Sequence, residues 1–243
     1  MGGCGEKWNI LKDVQSSTGA QVHFIHAAPD APAIDIYVNE QRVSGAAVTT
    51  ANPTGSLLYG ASITFPSFEY AGIPAGTTKI KVVAATGGTV ASPLLSADLN
   101  AEAGKRHSLF ATGVAPSYSL VTITDEAPPV NSNSFFIRII NLVLNATDAT
   151  LTYDGKDVVT GIVSGKASPY IVVALPADYK SGVFRTANIQ AKVNGAIPVT
   201  LTATTQTGLQ PGAVLNYVLR GGLTTDPKTP TKFPVTTLTY LSR

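Results

Sequence analysis

One pattern of short strands and turns occurs twice along this chain of 243 residues. The alternating segment at residues 22–26 (VHFIH) is matched by residues 137–141 (IRIIN), 115 positions later. At the same offset the short turn Asn39-Glu40 is matched by Asp154-Gly155, a pair that favours the type I′ turn of a two-residue hairpin. The repetition predicts two copies of one β-rich module, joined in tandem.

The composition supports an all-β class. Charged residues make up only 13% of the chain, which contains 22 glycines and 16 prolines, and none of the alternating segments has helical spacing. Each copy holds about seven short alternating segments within roughly 100 residues, which is typical of a sandwich of two sheets. We therefore predict two tandem antiparallel β-sandwich domains of the immunoglobulin-like or transthyretin-like kind.

The domain boundaries follow from the breaks in this pattern. Residues 1–20 are predicted to form an N-terminal tether, and residues 21–126 the first β-sandwich. Residues 127–134 read as a linker stiffened by Pro128-Pro129, and residues 135–243 as a second, diverged β-sandwich.

Two local predictions lie inside the first module. Residues 62–70 are predicted to form a strand because β-branched and aromatic residues are frequent there. Residues 73–76 (IPAG) are predicted to form a turn because they combine proline with glycine. The matching turn of the second module is placed at residues 175–177 (LPA).

The single cysteine, Cys4, cannot form an internal disulfide. It stands among glycines in the run Gly2-Gly3-Cys4-Gly5, which looks like the end of a lipoprotein signal, where small residues precede a cysteine that becomes acylated. Two or more acyl chains would give stable membrane anchoring, where one gives only marginal binding. The sequence therefore predicts lipidation at Cys4, and the alternative is an incidental cysteine.

The charge pattern excludes several classes of partner. A formal net charge of +2 with no clustered basic face gives no footprint for nucleic acid. No run of 18 apolar residues is present to span a membrane as a helix. Phosphate loops, dinucleotide fingerprints and cysteine–histidine metal spacings do not occur, so the sequence predicts no cofactor and no metal.

His26, Asp30 and Asp35 are the nearest approach to a constellation of chemical groups. They flank a turn with two prolines, where an aspartate can accept backbone N–H bonds and a histidine can bond to the following strand. A ligand-binding or catalytic role is the alternative, and no third histidine or cysteine stands near enough to complete a metal site. His23 and His107 are interpreted as isolated outward-facing or cross-strand residues.

Phe65, Phe68 and Tyr70 form an imperfectly alternating aromatic stretch. If they were exposed they could stack on sugar rings, and if buried they would belong to the core; the core interpretation is favoured. The one tryptophan, Trp8, lies in the predicted tether, so it could dock on the first module or contact a membrane interface.

The run from Phe24 to Asn39 (FIHAAPDAPAIDIYVN) resembles the opening of the family called domain of unknown function 4397. Its members read as a hydrophobic strand, then His-Ala-Ser-Pro-Asp-Ala-Pro, then Val-Asp-Val-Tyr; Ala28 stands here where serine is common. Residues 70–76 (YAGIPAG) resemble the family's later Tyr…Leu-Pro-Ala-Gly turn, whereas the second module diverges. The resemblance implies secreted or surface-anchored bacterial proteins with tandem sandwiches, similar to outer-membrane lipoproteins of the Bacteroidetes. It brings no activity.

These observations favour a non-catalytic cell-surface lipoprotein that acts as a structural or protein-interaction subunit of an envelope or extracellular assembly. The predicted location is the outer membrane, with the lipid on Cys4 as anchor and the modules facing the exterior. The alternative is a carbohydrate-binding accessory module of a surface glycan-uptake system, which would need an exposed aromatic platform. An enzyme that uses His26, Asp30 and Asp35 is a third hypothesis, and the sequence disfavours it.

Overall fold

In the computed structural model, the described residues are 18–43, 55–61, 70–86, 89–126, 128, 133–175, 189–195, 197–200, 211–223 and 234–241. The chain divides into two compact units, Met1–Glu126 and Ala127–Arg243. The regular structure of the described residues consists of strands, and they contain no helix long and apolar enough to cross a membrane. Cys4, Trp8, Phe65 and Phe68 lie outside these ranges, as do most of the predicted tether and linker.

Among its described residues, the first unit has two four-stranded sheets with one core between them. One sheet has the order β4-β1-β7-β8 and the other β3-β2-β5-β6. The strands are β1 (Gly19–His26), β2 (Ile34–Val38), β3 (Gln41–Arg42), β4 (Ala71–Pro74), β5 (Gly76–Ala84), β6 (Leu95–Ala101), β7 (Arg106–Val114) and β8 (Ser117–Thr124).

The core of the first unit follows from strand alternation, because every second side chain points to the same face of a sheet. Ile34, Ile36 and Val38 of β2 lie in the core with Val22 and Phe24 of β1. Both sheets contribute to this one cluster, so the two sheets pack face to face as in a sandwich.

The second unit repeats the strand order of the first. Its sheets are β12-β9-β16-β17, with β13 also paired to β9, and β11-β10-β14-β15. The strands are β9 (Ser134–Leu144), β10 (Ala149–Tyr153), β11 (Lys156–Ile162), β12 (Lys166–Ala167), β13 (Ile171–Ala174), β14 (Ile189–Val193), β15 (Ile197–Thr200), β16 (Val214–Gly222) and β17 (Thr236–Leu241). They surround a separate apolar core that includes Ile137, Leu151 and Tyr217.

One strand pair in each unit departs from the expected antiparallel arrangement. β1 runs parallel to β7, and β9 runs parallel to β16, while the other pairs of the described strands are antiparallel. A parallel pair needs a long crossover connection: β2 to β6 lie between β1 and β7 along the chain, and β10 to β15 lie between β9 and β16. Local alternation cannot reveal such a pairing, because it reports which residues share a face and not which strand lies alongside.

The turn predicted at residues 73–76 is wrong in its extent. Ala71–Pro74 forms β4, which pairs antiparallel with β1, and only Ala75 separates it from β5. Proline is compatible with this strand because β4 is at the edge of its sheet, where a missing N–H breaks no ladder. The chain then passes from one sheet to the other, and Gly76 at the start of β5 has a φ of 104°, which suits glycine.

Several sequence matches between the two modules have the same backbone geometry in the structure. Asn39 and Glu40 have φ of 47° and 69°, and Asp154 has 48°, as a type I′ hairpin turn requires. Ahead of the parallel strands, the Gly104 N–H donates to Gly19 (2.8 Å) and the Gly212 N–H donates to Ser134 (2.7 Å).

The edge strands match with a different register from the one the sequence indicated. Ile73 lies opposite Ala20 of β1, and Val173 lies opposite Phe135, which stands at the equivalent place in β9. Val173, and not Leu175, is therefore the counterpart of Ile73. The similar Ile-Pro-Ala and Leu-Pro-Ala sequences are displaced by two residues.

Candidate functional site

His26 ends β1 and is fully buried. Its Nε2 lies 3.0 Å from the carbonyl oxygen of Pro32, and the edge of its ring meets Tyr59 with the ring centroids 6.0 Å apart. Its backbone also bonds to the loop at residues 55–61: the His26 N–H donates to Ala61, and the Gly60 N–H donates to the His26 carbonyl. The side chain thus joins the end of one strand to the turn before the next.

Asp30 is exposed and connects two turns. Its Oδ2 accepts a hydrogen bond of 2.9 Å from the Ala115 N–H, in the turn between β7 and β8. It also bonds to the Tyr118 hydroxyl, whose pKa is raised first by burial and then by the charge and hydrogen bond of Asp30. The carboxylate therefore accepts a backbone N–H, as the sequence suggested, but from a distant hairpin.

Asp35 lies on β2, on the face opposite the core residues Ile34 and Ile36. It forms an ion pair of 2.7 Å with Arg42 of β3, and Arg42 also donates to the Ser56 hydroxyl at 3.3 Å. The pair crosses the short hairpin, so Asp35 supports the pairing of β2 with β3.

His26, Asp30 and Asp35 each bond to a different partner, so the three side chains do not form one site. Within the described ranges, no group of three or more histidine, cysteine or acidic residues is arranged to hold a metal ion. The second unit places Asn141 at the position of His26; it too is fully buried, and its Nδ2 donates to the Ile162 carbonyl at 2.8 Å. A buried polar side chain that bonds to a backbone carbonyl thus recurs at this position.

A second group of polar residues, which we call the Tyr70 cluster, was not recognised from the sequence. It consists of Gln21, His23, Tyr70, Arg106, Ser108 and Asp125. These residues lie on the sheet β4-β1-β7-β8, on the face away from the core: Gln21 and His23 alternate with the core residues of β1 and stand opposite Arg106 and Ser108 of β7.

Asp125 is the hub of the Tyr70 cluster. The Tyr70 hydroxyl donates to its Oδ2 at 2.9 Å, and the Ser108 hydroxyl donates to the same oxygen at 2.6 Å. The Arg106 guanidinium lies 5.3 Å from the Tyr70 ring centroid and donates to Gln21 at 2.9 Å.

His23 closes the cluster, with its ring 5.5 Å from that of Tyr70 in an edge-on contact. Burial lowers the pKa of His23 to about 4, so the ring is neutral at neutral pH. His107, at the neighbouring position of β7, is also buried, and burial is the main cause of its lowered pKa. The two histidines are therefore neither isolated nor exposed. The cross-strand alternative holds for His107, whose Nδ1 lies 3.5 Å from the Thr124 hydroxyl on the facing strand β8.

The Tyr70 cluster holds serine, histidine and aspartate, the residue types of a hydrolytic triad, in a different arrangement. In a triad the serine hydroxyl gives its proton to histidine, and aspartate orients that histidine. Here the Ser108 hydroxyl donates directly to Asp125, and Ser108 has no exposed surface on which a substrate could lie. This arrangement fixes side chains between strands and presents no nucleophile.

The second unit has a polar cluster at the same place. Arg138 stands opposite Asn216 in the parallel pair, as His23 stands opposite Ser108. Arg138 donates to the Asn216 side chain and lies over the Tyr170 ring at 4.5 Å, and the Tyr170 hydroxyl also donates to Asn216 at 3.0 Å. Tyr170 directly precedes β13 as Tyr70 precedes β4, so a tyrosine with polar partners is common to both units.

Of the three aromatic candidates, only Tyr70 lies among the described residues. It is half-buried, and its ring and hydroxyl contact His23, Arg106 and Asp125. The sequence showed Tyr70 as one of an aromatic stretch. One sequence signal could have identified its partners. Polar residues occupy alternate positions of β1 (Gln21 and His23) and of β7 (Arg106 and Ser108).

Comparisons with known proteins give one family and distant structural likenesses. A putative cell adhesion protein from Bacteroides eggerthii DSM 20697 is similar at 11% identity over 93% of this chain and 96% of that chain, with a TM-score of 0.20. Another, from Bacteroides uniformis ATCC 8492, has 10% identity over 93% and 98%, with a TM-score of 0.23. No curated protein matches the chain. The model of one family, Domain of unknown function (DUF4397), matches residues 20–150, and the chain belongs to that family.

Proposed function

We propose that this protein is a non-catalytic cell-surface component that acts as a structural or protein-interaction subunit of an envelope or extracellular assembly. The observation that supports this most directly is how the residues of the family motif are used. His26 bonds to Pro32, Asp30 to Ala115 and Asp35 to Arg42, so each of these groups is occupied with the fold itself. A motif used in this way specifies a scaffold.

The proposal includes the nature of the two units. We take both as immunoglobulin-like or transthyretin-like sandwiches, with the second unit a diverged copy of the first. The shared strand order, the parallel pair in each unit and the equivalent hydrogen bonds of Gly104 and Gly212 support a duplication. Tandem modules suit a surface subunit because they present two scaffolds on one chain.

The membrane anchor is a separate part of the proposal. A diacylglycerol on Cys4 would hold the protein in the outer membrane, with both units facing the cell exterior. Mass spectrometry of the N-terminal peptide from native membranes should show acylated Cys4. An unmodified Cys4 peptide from the same membranes would contradict the anchor and would leave the interaction role standing.

Chemical cross-linking on intact cells tests the interaction role. The exposed lysines Lys105, Lys156 and Lys166 provide reactive amines in both units. We expect linked peptides that join these lysines to other protein chains on the cell surface. Links confined to lysines of the same chain, at a cross-linker dose that captures known neighbours of other surface proteins, would contradict the role.

The carbohydrate-binding alternative depends on the aromatic residues. Tyr70 is already engaged with Arg106 and Asp125, which leaves it poorly placed to offer a flat face to a sugar ring. Binding of the purified protein to a glycan array, lost on Tyr70→Ala in a variant that remains folded, would favour this alternative over the interaction role.

A further inference from the structure

The edge strands of the four sheets differ in how they are protected against pairing with another chain. Proteins blunt exposed edges by shortness, charge, proline or bulges. β3 and β12 have only two residues, β13 has four, and β4 and β15 contain Pro74 and Pro198. β6 contains Asp98, and β11 contains Lys156 and Asp157.

β8 and β17 occupy the same edge of equivalent sheets, and neither has such a device within its bounds. β8 (SYSLVTIT) has eight residues and β17 (TTLTYL) has six, without a charge or a proline. Both keep a regular register with the strand next to them, without a bulge. An uncharged, regular edge of this length is a template for an added strand.

The backbone groups available on β8 follow from its pairing with β7. Asp125, directly after β8, donates its N–H to the Arg106 carbonyl, so Asp125 and Arg106 form a hydrogen-bonded pair of the ladder. Such pairs alternate along antiparallel strands. The residues whose N–H and C=O groups point away from β7 are therefore Tyr118, Leu120, Thr122 and Thr124.

These four residues offer an open hydrogen-bonding edge. Among the backbone bonds of the described residues, none outside the ladders involves any of the four. None of the eight residues of β8 is buried, and Ser117, Ser119, Thr122 and Thr124 are exposed.

We propose that β8 pairs with β8 of a second copy of this chain in an antiparallel, two-fold symmetric arrangement, an inference that rests on the proposed interaction role and names a partner for it. The chemistry of the strand supports this occupant. Self-pairing brings each side chain near those of an identical strand, where like charges would be destabilising, and β8 contains none. β6 or β11 would place carboxylates or lysines near copies of themselves.

One register uses every available group. If Tyr118 lies opposite Thr124 and Leu120 opposite Thr122, all four outward-pointing residues of both copies form hydrogen-bonded pairs. Val121 then lies opposite Val121 of the second copy, on the two-fold axis. The residues from Tyr118 to Thr124 then lie opposite uncharged side chains, and Ser117 lies opposite Asp125, directly after the strand.

This register predicts a specific disulfide. Val121 would face its counterpart in a non-hydrogen-bonded pair, where Cα atoms lie about 4.5 Å apart, within the range a disulfide can span. In a Cys4→Ser background, Val121→Cys should form a covalent dimer under mild oxidation. Ser119→Cys is the matched control, because its counterpart in the second copy would lie roughly 13 Å away along the strand. Equal cross-linking of the two variants, or none for Val121→Cys, would overturn the register.

Sedimentation of the full chain without introduced cysteines tests the pairing itself. Thr122→Pro removes an N–H that points away from β7, so it should preserve the β7–β8 ladder and weaken the dimer about 10- to 100-fold, since each dimer loses two hydrogen bonds. Thr122→Val keeps the N–H and should dimerise like the wild type. If Thr122→Pro fails to fold, the comparison of Val121→Cys with Ser119→Cys still tests the self-pairing of β8.

A wild-type chain that remains monomeric at its highest soluble concentration would overturn the self-pairing. If the same chain still formed cross-links to other surface proteins, the proposed function would stand while this partner would be rejected. A wild-type dimer that Thr122→Pro leaves unchanged would place the interface elsewhere and would also overturn the proposal.

Discussion

At the scale of single residues, Asp30 illustrates how an exposed carboxylate can serve a fold. It connects the turn before β2 to the turn after β7, 85 residues away in sequence, through the Ala115 N–H. Replacing it leaves that N–H and the Tyr118 hydroxyl without this acceptor. The residue thus stabilises a non-local contact, although the bonds themselves lie at the surface.

Asp30→Ala should lower the free energy of unfolding of the first unit by about 1 kcal/mol, because a charge-assisted bond is lost at a solvent-exposed site. Asp30→Asn is the matched control: its amide oxygen can still accept the Ala115 N–H, so we expect about half that loss. Hydrogen exchange of β7 and β8 peptides in urea measures both. An Asp30→Ala variant as stable as the wild type would show that the bond contributes nothing.

His23 gives a prediction about pH. Burial lowers its folded-state pKa to about 4 from the ordinary 6.5, so the unfolded chain binds a proton more readily between these values. Stability from the neutral ring is fully present above pH 6.5 and is lost as the pH falls towards 4, by a total on the order of 3 kcal/mol. Hydrogen exchange of β1 amides across this range should follow the loss.

His23→Gln provides the control for this dependence. The variant should show a smaller loss of stability in the first unit between pH 6.5 and 4. Part of the dependence should remain, because burial also lowers the pKa of His107 and acts in the same direction. Equal pH dependence in the wild type and the variant would show that His23 does not titrate as its burial indicates.

The sequence identified His26, Asp30 and Asp35 as residues of interest, but it could not identify all their partners. The partners of Asp30 lie far along the chain, and those of His26 include Tyr59 in a loop with no regular pattern. His23 was misjudged because alternation with Val22 and Phe24 places it on the face away from the core, which usually meets solvent. Alternation does not indicate whether that second face is buried as well.

At the scale of secondary-structure elements, the hairpin of β7 and β8 depends on one glycine. Gly113 has a φ of 91°, and a β-carbon there would overlap the carbonyl oxygen of Ser117 on the facing strand. The backbone conformation and the close approach of the two strands both require glycine at this position.

Gly113→Ala should therefore destabilise the first unit by about 3 kcal/mol, combining the strain of a positive φ with a steric overlap. Gly104→Ala is the control, since Gly104 also has a positive φ, 74°, but no neighbouring atom near its β-carbon, and should cost about 1 kcal/mol. Urea denaturation of both variants measures the difference. Equal losses would remove the steric part of this explanation.

Much of the element order could be predicted because β2, β5 and β8 alternate and are bounded by turns. β4 was missed because glycine and proline are frequent around it, and only its position at a sheet edge makes proline acceptable there. The parallel pairs were missed because they join strands far apart in sequence, and no local signal reports such a contact.

At the scale of the whole molecule, the chain carries two units with the same strand order. The family motif stands only in the first unit, yet the second contains equivalent turns, a buried Asn141 in place of His26 and its own polar cluster around Asn216. Equivalent positions of the two units therefore carry different polar residues that make similar hydrogen bonds within the fold. The sequence predicted a repeated order of strands, and the register of the edge strands changes which residues of the two units match.

Native mass spectrometry of the protein released from cell membranes by a mild detergent tests the central claim most directly. If the chain is an interaction subunit, it should be released in complexes whose masses exceed that of one 25.1 kDa chain with any attached lipid. Dissociation should then yield this chain together with other protein chains or further copies of itself. A single mass for the monomer, under conditions that preserve other envelope complexes from the same membranes, would contradict the account.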